Sequence, residues 1–307
     1  MSEFYQKDDL KLSRLGLGCM RMSTNLDSSR KESLATIREA VDLGVNLIDT
    51  GDFYGEGGHN EKLIGEALKD IPRDDVFLSV KYGTFNNLMK GLDSVDVGPT
   101  NVKKYVTSSL KNLGVDSIDL YQPARVDIGI PIEDTIGALV ELVDAGYIRH
   151  IGLSQVDSET LRKANAIHPI KLVELEYSIV NKSIESDLLP TARELGIGVV
   201  AFGAMGFGKL SQNGSESDIL IKTINDISKE KDITFSQLVH AWLYNRGEDI
   251  IPLIGSRTRD QFDDTFQCKN ITFSKDENDR INRAFQGSSI TGPGMPNFII
   301  KNGKLVR

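Results

Sequence analysis

The sequence predicts a single-domain α/β protein whose strands close into a (β/α)8 TIM barrel. Short β-rich runs alternate with amphipathic helical patterns along all 307 residues, with no linker and no break in composition. Eight such pairs fit this length, which is what a closed parallel barrel needs. The competing open, doubly wound sheet usually carries a G-x-G-x-x-G turn after its first strand. Here the first strand gives GLGCMRM, and no such turn follows.

Taken in order, the first strand is expected over Arg14–Met20, followed by a helix over Arg30–Leu43. In that helix Leu34, Ile37 and Val41 recur at helical spacing, and Gly44 is the stop. Val45–Asp49 precedes the helix Asn60–Lys69, and Val76–Lys81 precedes Asn101–Leu113. Ile118–Tyr121 pairs with Ile132–Ala145, His150–Ser154 with Ser158–Ala166, and Lys171–Leu175 with Leu188–Leu195. Gly198–Phe202 leads into one long helical region, Ile219–Tyr244. Ile250–Ile254 with Gln261–Phe266 is the eighth pair, and a further helix is expected from Lys275 within a C-terminal helix and tail over 275–307. Two βα loops are long, at 83–100 and 203–218, and long loops at a catalytic rim are often functional.

Composition narrows the classes. The net charge of −8 gives no electrostatic case for nucleic acid as a partner. Cys19 and Cys268 form no metal-spaced set and read as reduced thiols, and the four histidines are scattered, so no metal is expected. His59 is the only histidine placed near a candidate catalytic loop; His150 reads as structural. No uncharged run is long enough to span a bilayer, and the first residues lack a signal-peptide apolar stretch. The expectation is a soluble, cytoplasmic protein with no membrane partner.

Three residues could carry chemistry: Asp49, Tyr54 and Lys81, in VNLIDTGDFYGEGGHNE and DDVFLSVKYG, at or just past the ends of strands. Singly they read as a loop-capping aspartate, a turn aromatic and a lysine reaching for solvent. Jointly they can make a proton donor for a carbonyl. Tyrosine ordinarily titrates near pH 10, and moving it to neutrality takes about 4 kcal/mol. One ammonium about 4 Å away supplies that much at an effective dielectric near 20. Lys81 is therefore expected to acidify Tyr54, with Asp49 holding Lys81 charged, as general acid catalysis requires.

The order, spacing and flanks of these segments resemble the aldo-keto reductases, over about Arg14 to Phe266. The resemblance implies an NADP-dependent oxidoreductase that reduces small-molecule aldehydes or ketones with NADPH. It implies cofactor contacts at Gly18, Cys19 and Met20 after the first strand, and at Ser154 and Gln155 in GLSQV. In VELEYSIVN, Glu174 stands where the family usually has a glutamine on the nicotinamide carboxamide. In VVAFGAMGFG, Phe202 would stack on the nicotinamide ring, with Gly203, Ala204, Met205, Gly206 and Gly208 along the pyrophosphate. IPLIGSRTRDQFDDT would bind the adenosine end through Ile254, Gly255, Ser256, Arg257, Arg259, Gln261, Asp264 and Thr265. The arginines there suit a 2′-phosphate.

One departure matters most. Where most of the family has histidine in the fourth strand, YQPARVD places Ala124. A water could stand in for the imidazole, the substrate could supply a group, or the protein could bind cofactor as a regulatory or sensor subunit without turning carbonyls over. Arg125 and Asp127 read as structural rim residues.

Overall fold

A computed structural model describes residues 2–24, 29–85, 94–210, 218–294 and 299–306. The parts of the two long loops and of the tail at 86–93, 211–217 and 295–298 lie outside the described residues. Eight parallel strands close into a barrel. They are β1 Gly16–Gly18, β2 Leu47–Gly51, β3 Phe77–Tyr82, β4 Ile118–Pro123, β5 Ile148–Ser154, β6 Ile170–Glu176, β7 Gly198–Phe202 and β8 Ile250–Ile254. Each is hydrogen-bonded to its sequence neighbours, and β8 returns to β1 through Leu253–Gly16 and Ile254–Leu17. Gly16 makes room for the floor at that seam, because a Cβ there would lie 2.6 Å from Leu253 Cδ2 and would push that side chain aside.

Strand alternation divides the core in two. One set of side chains, including Val80, Tyr121, Val173 and Val199, packs outward against the helices. The other set, Leu47, Leu120, Leu172, Val200 and Leu253, fills the floor of the barrel with Phe77 and Phe202 against it. The floor is sealed by an N-terminal hairpin, Phe4–Lys7 and Leu10–Ser13, which adds Tyr5, Leu10 and Leu12 to the same cluster. The sequence reading did not foresee this hairpin, whose turn sets Asp8 at φ 51°.

Three expectations change. The first strand is shorter than Arg14–Met20, because the chain turns into a short helix, Arg21–Thr24. Asp49 lies inside a strand and not at its end, since β2 runs on to Gly51. The region Ile219–Tyr244 is two helices, Ile219–Glu230 and Phe235–Tyr244, not one. Asp232 at φ 54° breaks it, and Thr234 with Gln237 forms a capping box that starts the second. The tail adds a second unforeseen hairpin, Ile299–Lys301 with Lys304–Val306. It meets a short strand in the third βα loop, Ser94–Val95, at Lys304–Ser94 and is held by Asp127, which accepts from the Asn302 and Gly303 amides. This gives Asp127 the structural role expected for it.

Candidate active site

Counting by twos from the floor leads directly to the site. From Leu47 the next inward residue is Asp49; from Phe77 come Ser79 and Lys81; from Leu120, Gln122; from Leu172, Glu174. These five side chains form one closed polar layer above the apolar floor. Lys81 Nζ donates to both Asp49 oxygens at 2.6 Å and to Glu174 Oε2 at 2.9 Å. Gln122 Nε2 donates to the same Glu174 oxygen at 2.8 Å and to Ser79 Oγ at 3.1 Å, and Ser79 Oγ donates to Asp49 Oδ1 at 3.1 Å. The Lys81, Asp49 and Glu174 side chains are each 4% exposed.

Tyr54 stands on the turn after β2, where its amide donates to Gly51 O at 3.0 Å. The Asp52 amide, donating to Lys81 O at 2.9 Å, ties that turn to β3. Tyr54 is 6% exposed, with Lys81 Nζ 5.4 Å from its ring centroid. Asp49, Tyr54 and Lys81 are therefore brought together.

The electrostatics differ from expectation. Burial pushes the Tyr54 phenol above its ordinary range; Lys81 pulls it back, but Asp49 and Glu174 push it up again. Lys81 does not deliver an unopposed positive charge, because two carboxylates already face it. Burial also works against the Lys81 ammonium, yet Asp49 and then Glu174 outweigh it and hold the amine charged. Asp49 itself is raised by burial and then by Glu174, against the pull of Lys81.

Glu174 makes a contact that the sequence reading did not foresee: its Oε2 is turned into the Lys81 network. Nearby, Ser154 Oγ is buried without a hydrogen-bond partner among the described residues. Gln155 sits at φ 51°, and its Oε1 accepts the Glu176 amide at 2.9 Å. Phe202 ends β7 half-buried, with the Phe207 ring 6.0 Å away and edge-on. After it Gly203, Gly206 and Gly208 take positive φ of 73°, 57° and 95°, with Gly206 N donating to Gly203 O, while Ala204 is buried and Met205 partly so.

At the first-strand end, Gly18 pairs with Asp49, and Cys19 is fully buried with its thiol pushed up by burial. Met20 is half-buried beside it. At the eighth, Ile254 and Ser256 are buried, Gly255 and Arg259 are exposed, and Arg257 is half-buried. The Arg257 amide donates to Gln261 Oε1 at 3.4 Å, and Thr258 caps the helix Arg259–Phe266. Asp264 is engaged by Thr234 and Gln237, and the Thr265 hydroxyl pairs with Ser236, so both face a neighbouring helix.

Ala124 is 1% exposed, and Arg125 Nη1 donates to its carbonyl at 2.6 Å. The space over the methyl is not open to bulk solvent. His59 Nδ1 lies 2.8 Å from Ser23 Oγ, and His150 pairs with Asp9 beneath the barrel. Sequence reasoning missed Ser79 and Gln122; the two-residue stride back from Lys81 and from Ala124 was the available signal. Among the described residues no group of His, Cys, Asp and Glu is placed to hold a metal, and no helix is long and apolar enough to cross a membrane.

Fold and site define an α/β barrel carrying a buried acid–amine pair beneath a phenol at its mouth. The sequence profile of the Aldo/keto reductase family matches residues 14–285, and the chain belongs to that family. It is 30% identical over 306 residues to a probable aldo-keto reductase 1 of Glycine max, covering 92% of this chain and 88% of that one. Among solved structures, the thermostable aldo-keto reductase Tm1743, determined with the inhibitor epalrestat, superposes with a TM-score of 0.79 at 26% identity. That match covers 92% of this chain and 99% of the other. The glycerol dehydrogenase AKR11B4 of Gluconobacter oxydans shares the fold at TM-score 0.82 and 24% identity, over 97% and 99% of the two chains. An aldo/keto reductase of Klebsiella pneumoniae, solved with NADP and acetate, does so at 0.78 and 22%, over 92% and 94%.

Proposed function

We propose that the protein reduces aldehydes or ketones to alcohols with NADPH, Tyr54 supplying the proton. The observation that carries this is the buried Lys81, fixed by Asp49 on one side and facing the Tyr54 ring on the other. A binding module has no need of a phenol beside a buried ammonium.

The residues present suit the dinucleotide. Ser154 Oγ is an unpartnered buried hydroxyl at the carboxyl end of β5, where a carboxamide finds a hydrogen bond. Phe202 offers a ring for stacking, and the glycine backbone of 203–208 allows close approach of a pyrophosphate. Ser256, Arg257 and the N-terminus of the helix Arg259–Phe266 form a site for a 2′-phosphate. When bound, the cofactor supplies the hydride. Tyr54 orients the carbonyl oxygen and protonates it, and Lys81 stabilises the phenolate left behind.

A screen of aldehydes, quinones and ketones, read as loss of reduced-nicotinamide absorbance, tests the reading. Turnover abolished by Tyr54→Phe is the expected result. Tight cofactor binding with no turnover on any class would replace it with the sensor reading, which the substitution of Ala124 for histidine favours.

A further inference from the structure

The stride of two residues that builds the Lys81 layer sets one more layer above it, at the barrel mouth. From Gln122 the next inward residue is Ala124, from Glu174 it is Glu176, and from Val200 it is Phe202. Ala124 contributes only a methyl, which leaves room there for a neighbouring side chain. Arg125 is that neighbour. Its Nη1 donates to Ala124 O at 2.6 Å, so the half-buried side chain folds back along β4 instead of extending into solvent. It faces Tyr54 from the turn after β2, and Glu174 and Glu176 from β6. A guanidinium that faces all three lies over the mouth and not on the outer rim. We propose that Arg125 is a catalytic residue of the reduction, donating a hydrogen bond to the substrate carbonyl oxygen beside Tyr54 and over the methyl of Ala124.

This rests on the reductase reading. A carbonyl oxygen accepts through two lone pairs, and Tyr54 takes one of them. Negative charge grows on that oxygen during reduction, so a cation already fixed beside it binds the transition state more strongly than the bound carbonyl. The bond to Ala124 O fixes the plane of a group that carries five N–H donors. Burial works against the guanidinium charge, while Tyr54, then Glu174 and Glu176, support it. Arg125 keeps its own protons throughout: the O–H of the alcohol forms as the Tyr54 O–H breaks.

The charges around the site also name the substrate class. Lys81 and Arg125 face Asp49, Glu174 and Glu176, and Glu176 Oε1 accepts the Gly294 amide at 2.6 Å. Three carboxyl groups against two cations leave no spare positive charge at the mouth. The site therefore suits neutral aldehydes and ketones over those that carry a carboxylate or phosphate.

Arg125→Met is expected to lower kcat/KM by about a hundredfold, mostly in kcat, as the loss of one oxyanion donor does. The NADPH dissociation constant should not change. Arg125→Ala should regain part of its loss when guanidinium chloride is added well below the concentrations that unfold the protein. Wild type and Tyr54→Phe should not respond to the salt. A side chain that merely supported the rim would show no rescue by a diffusible guanidinium. Urea denaturation alongside separates lost fold from lost chemistry. Should both variants unfold, Arg125→Lys keeps a charge facing Glu174 and Glu176 but lacks the planar fork, and its kcat should fall at unchanged stability. Wild-type kcat in whichever variant folds would overturn the inference and leave the reductase reading standing. A wild type that reduces no carbonyl would overturn the reductase reading and this inference with it. Among benzaldehydes with and without a para-carboxylate, the neutral one should be preferred, and the reverse order would overturn the substrate class.

Discussion

Lys81 and Tyr82 are neighbours on β3 and point to opposite faces, and each ends in a buried polar cluster. On the inner face, Lys81 binds two carboxylates, with Ser79 and Gln122 closing the ring. On the outer face, Tyr82 stacks on Tyr121 at 4.6 Å beneath Tyr105, in a cluster that includes Asp52, Glu61 and Ser109. There Asp52 Oδ1 and the Tyr82 hydroxyl are buried without hydrogen-bond partners among the described residues, and Ser109 stands between Glu61 and the Tyr121 hydroxyl. The inner cluster has a cation at its centre, which pulls Asp49 down against burial. In the outer one no cation opposes burial, and burial first and Glu61 second raise the Asp52 carboxyl to about 8. The same strand thus presents carboxylates to a lysine on its inner face and phenols to half-buried and buried acids on its outer face.

The largest effect should come from removing that lysine. Lys81→Met leaves Asp49 and Glu174 buried without a counter-charge, and breaking a buried pair in this way costs about 3–5 kcal/mol. Urea denaturation should show the loss, with activity undetectable. A variant as stable as wild type would mean that the inner carboxylates are compensated by something other than Lys81. Tyr54→Phe should be next: the phenol proton is transferred only in the transition state, so kcat should fall by about two to four orders of magnitude with cofactor affinity intact.

Asp52→Asn tests the outer cluster. Because the Asp52 carboxyl is raised by burial, wild type should lose stability between about pH 4 and about pH 8, as the proton it retains when folded is removed. The asparagine variant should fall less steeply over that window, since it lacks the Asp52 contribution, with the two curves a few kcal/mol apart in slope-integrated stability at the alkaline end. Parallel curves from urea denaturation would place Asp52 in contact with a compensating group.

The barrel was legible because the strand–helix alternation is set by local patterning, and Asp49, Tyr54 and Lys81 because their spacing survives any shift of a residue or two. The role of Glu174 was not legible. Which side chain it meets depends on the stagger of β6 against β3 across the barrel, and neighbouring sequence does not encode that. Lys81 does pull the Tyr54 phenol down, but burial outweighs it and Asp49 and Glu174 add to burial; the arithmetic counted the cation and none of these. The split of Ile219–Tyr244 was hidden differently. Its signals are Asp232, in a left-handed conformation, and the Thr234–Gln237 capping box, which the long apolar periodicity read through.

The smallest effect concerns the far end of the same rim, where charge meets solvent. Arg257 is half-buried behind the buried Ser256, whereas Arg259 is exposed and its amide already donates to Glu32 Oε1 at 3.0 Å. An arginine held against buried neighbours loses less freedom on binding a phosphate than one extended into water. The Glu32 carboxylate also occupies the first-turn amide that would otherwise face the anion. Arg257→Ala should therefore weaken NADPH binding by about 1.5–3 kcal/mol, roughly ten- to a hundredfold. Arg259→Ala should weaken it by less, and neither should change NADH binding. Fluorescence titration of both cofactors against both variants measures all four constants. Equal losses for NADPH and NADH would remove the 2′-phosphate from this site, and a larger loss at Arg259 would show that Glu32 gives way when the phosphate arrives.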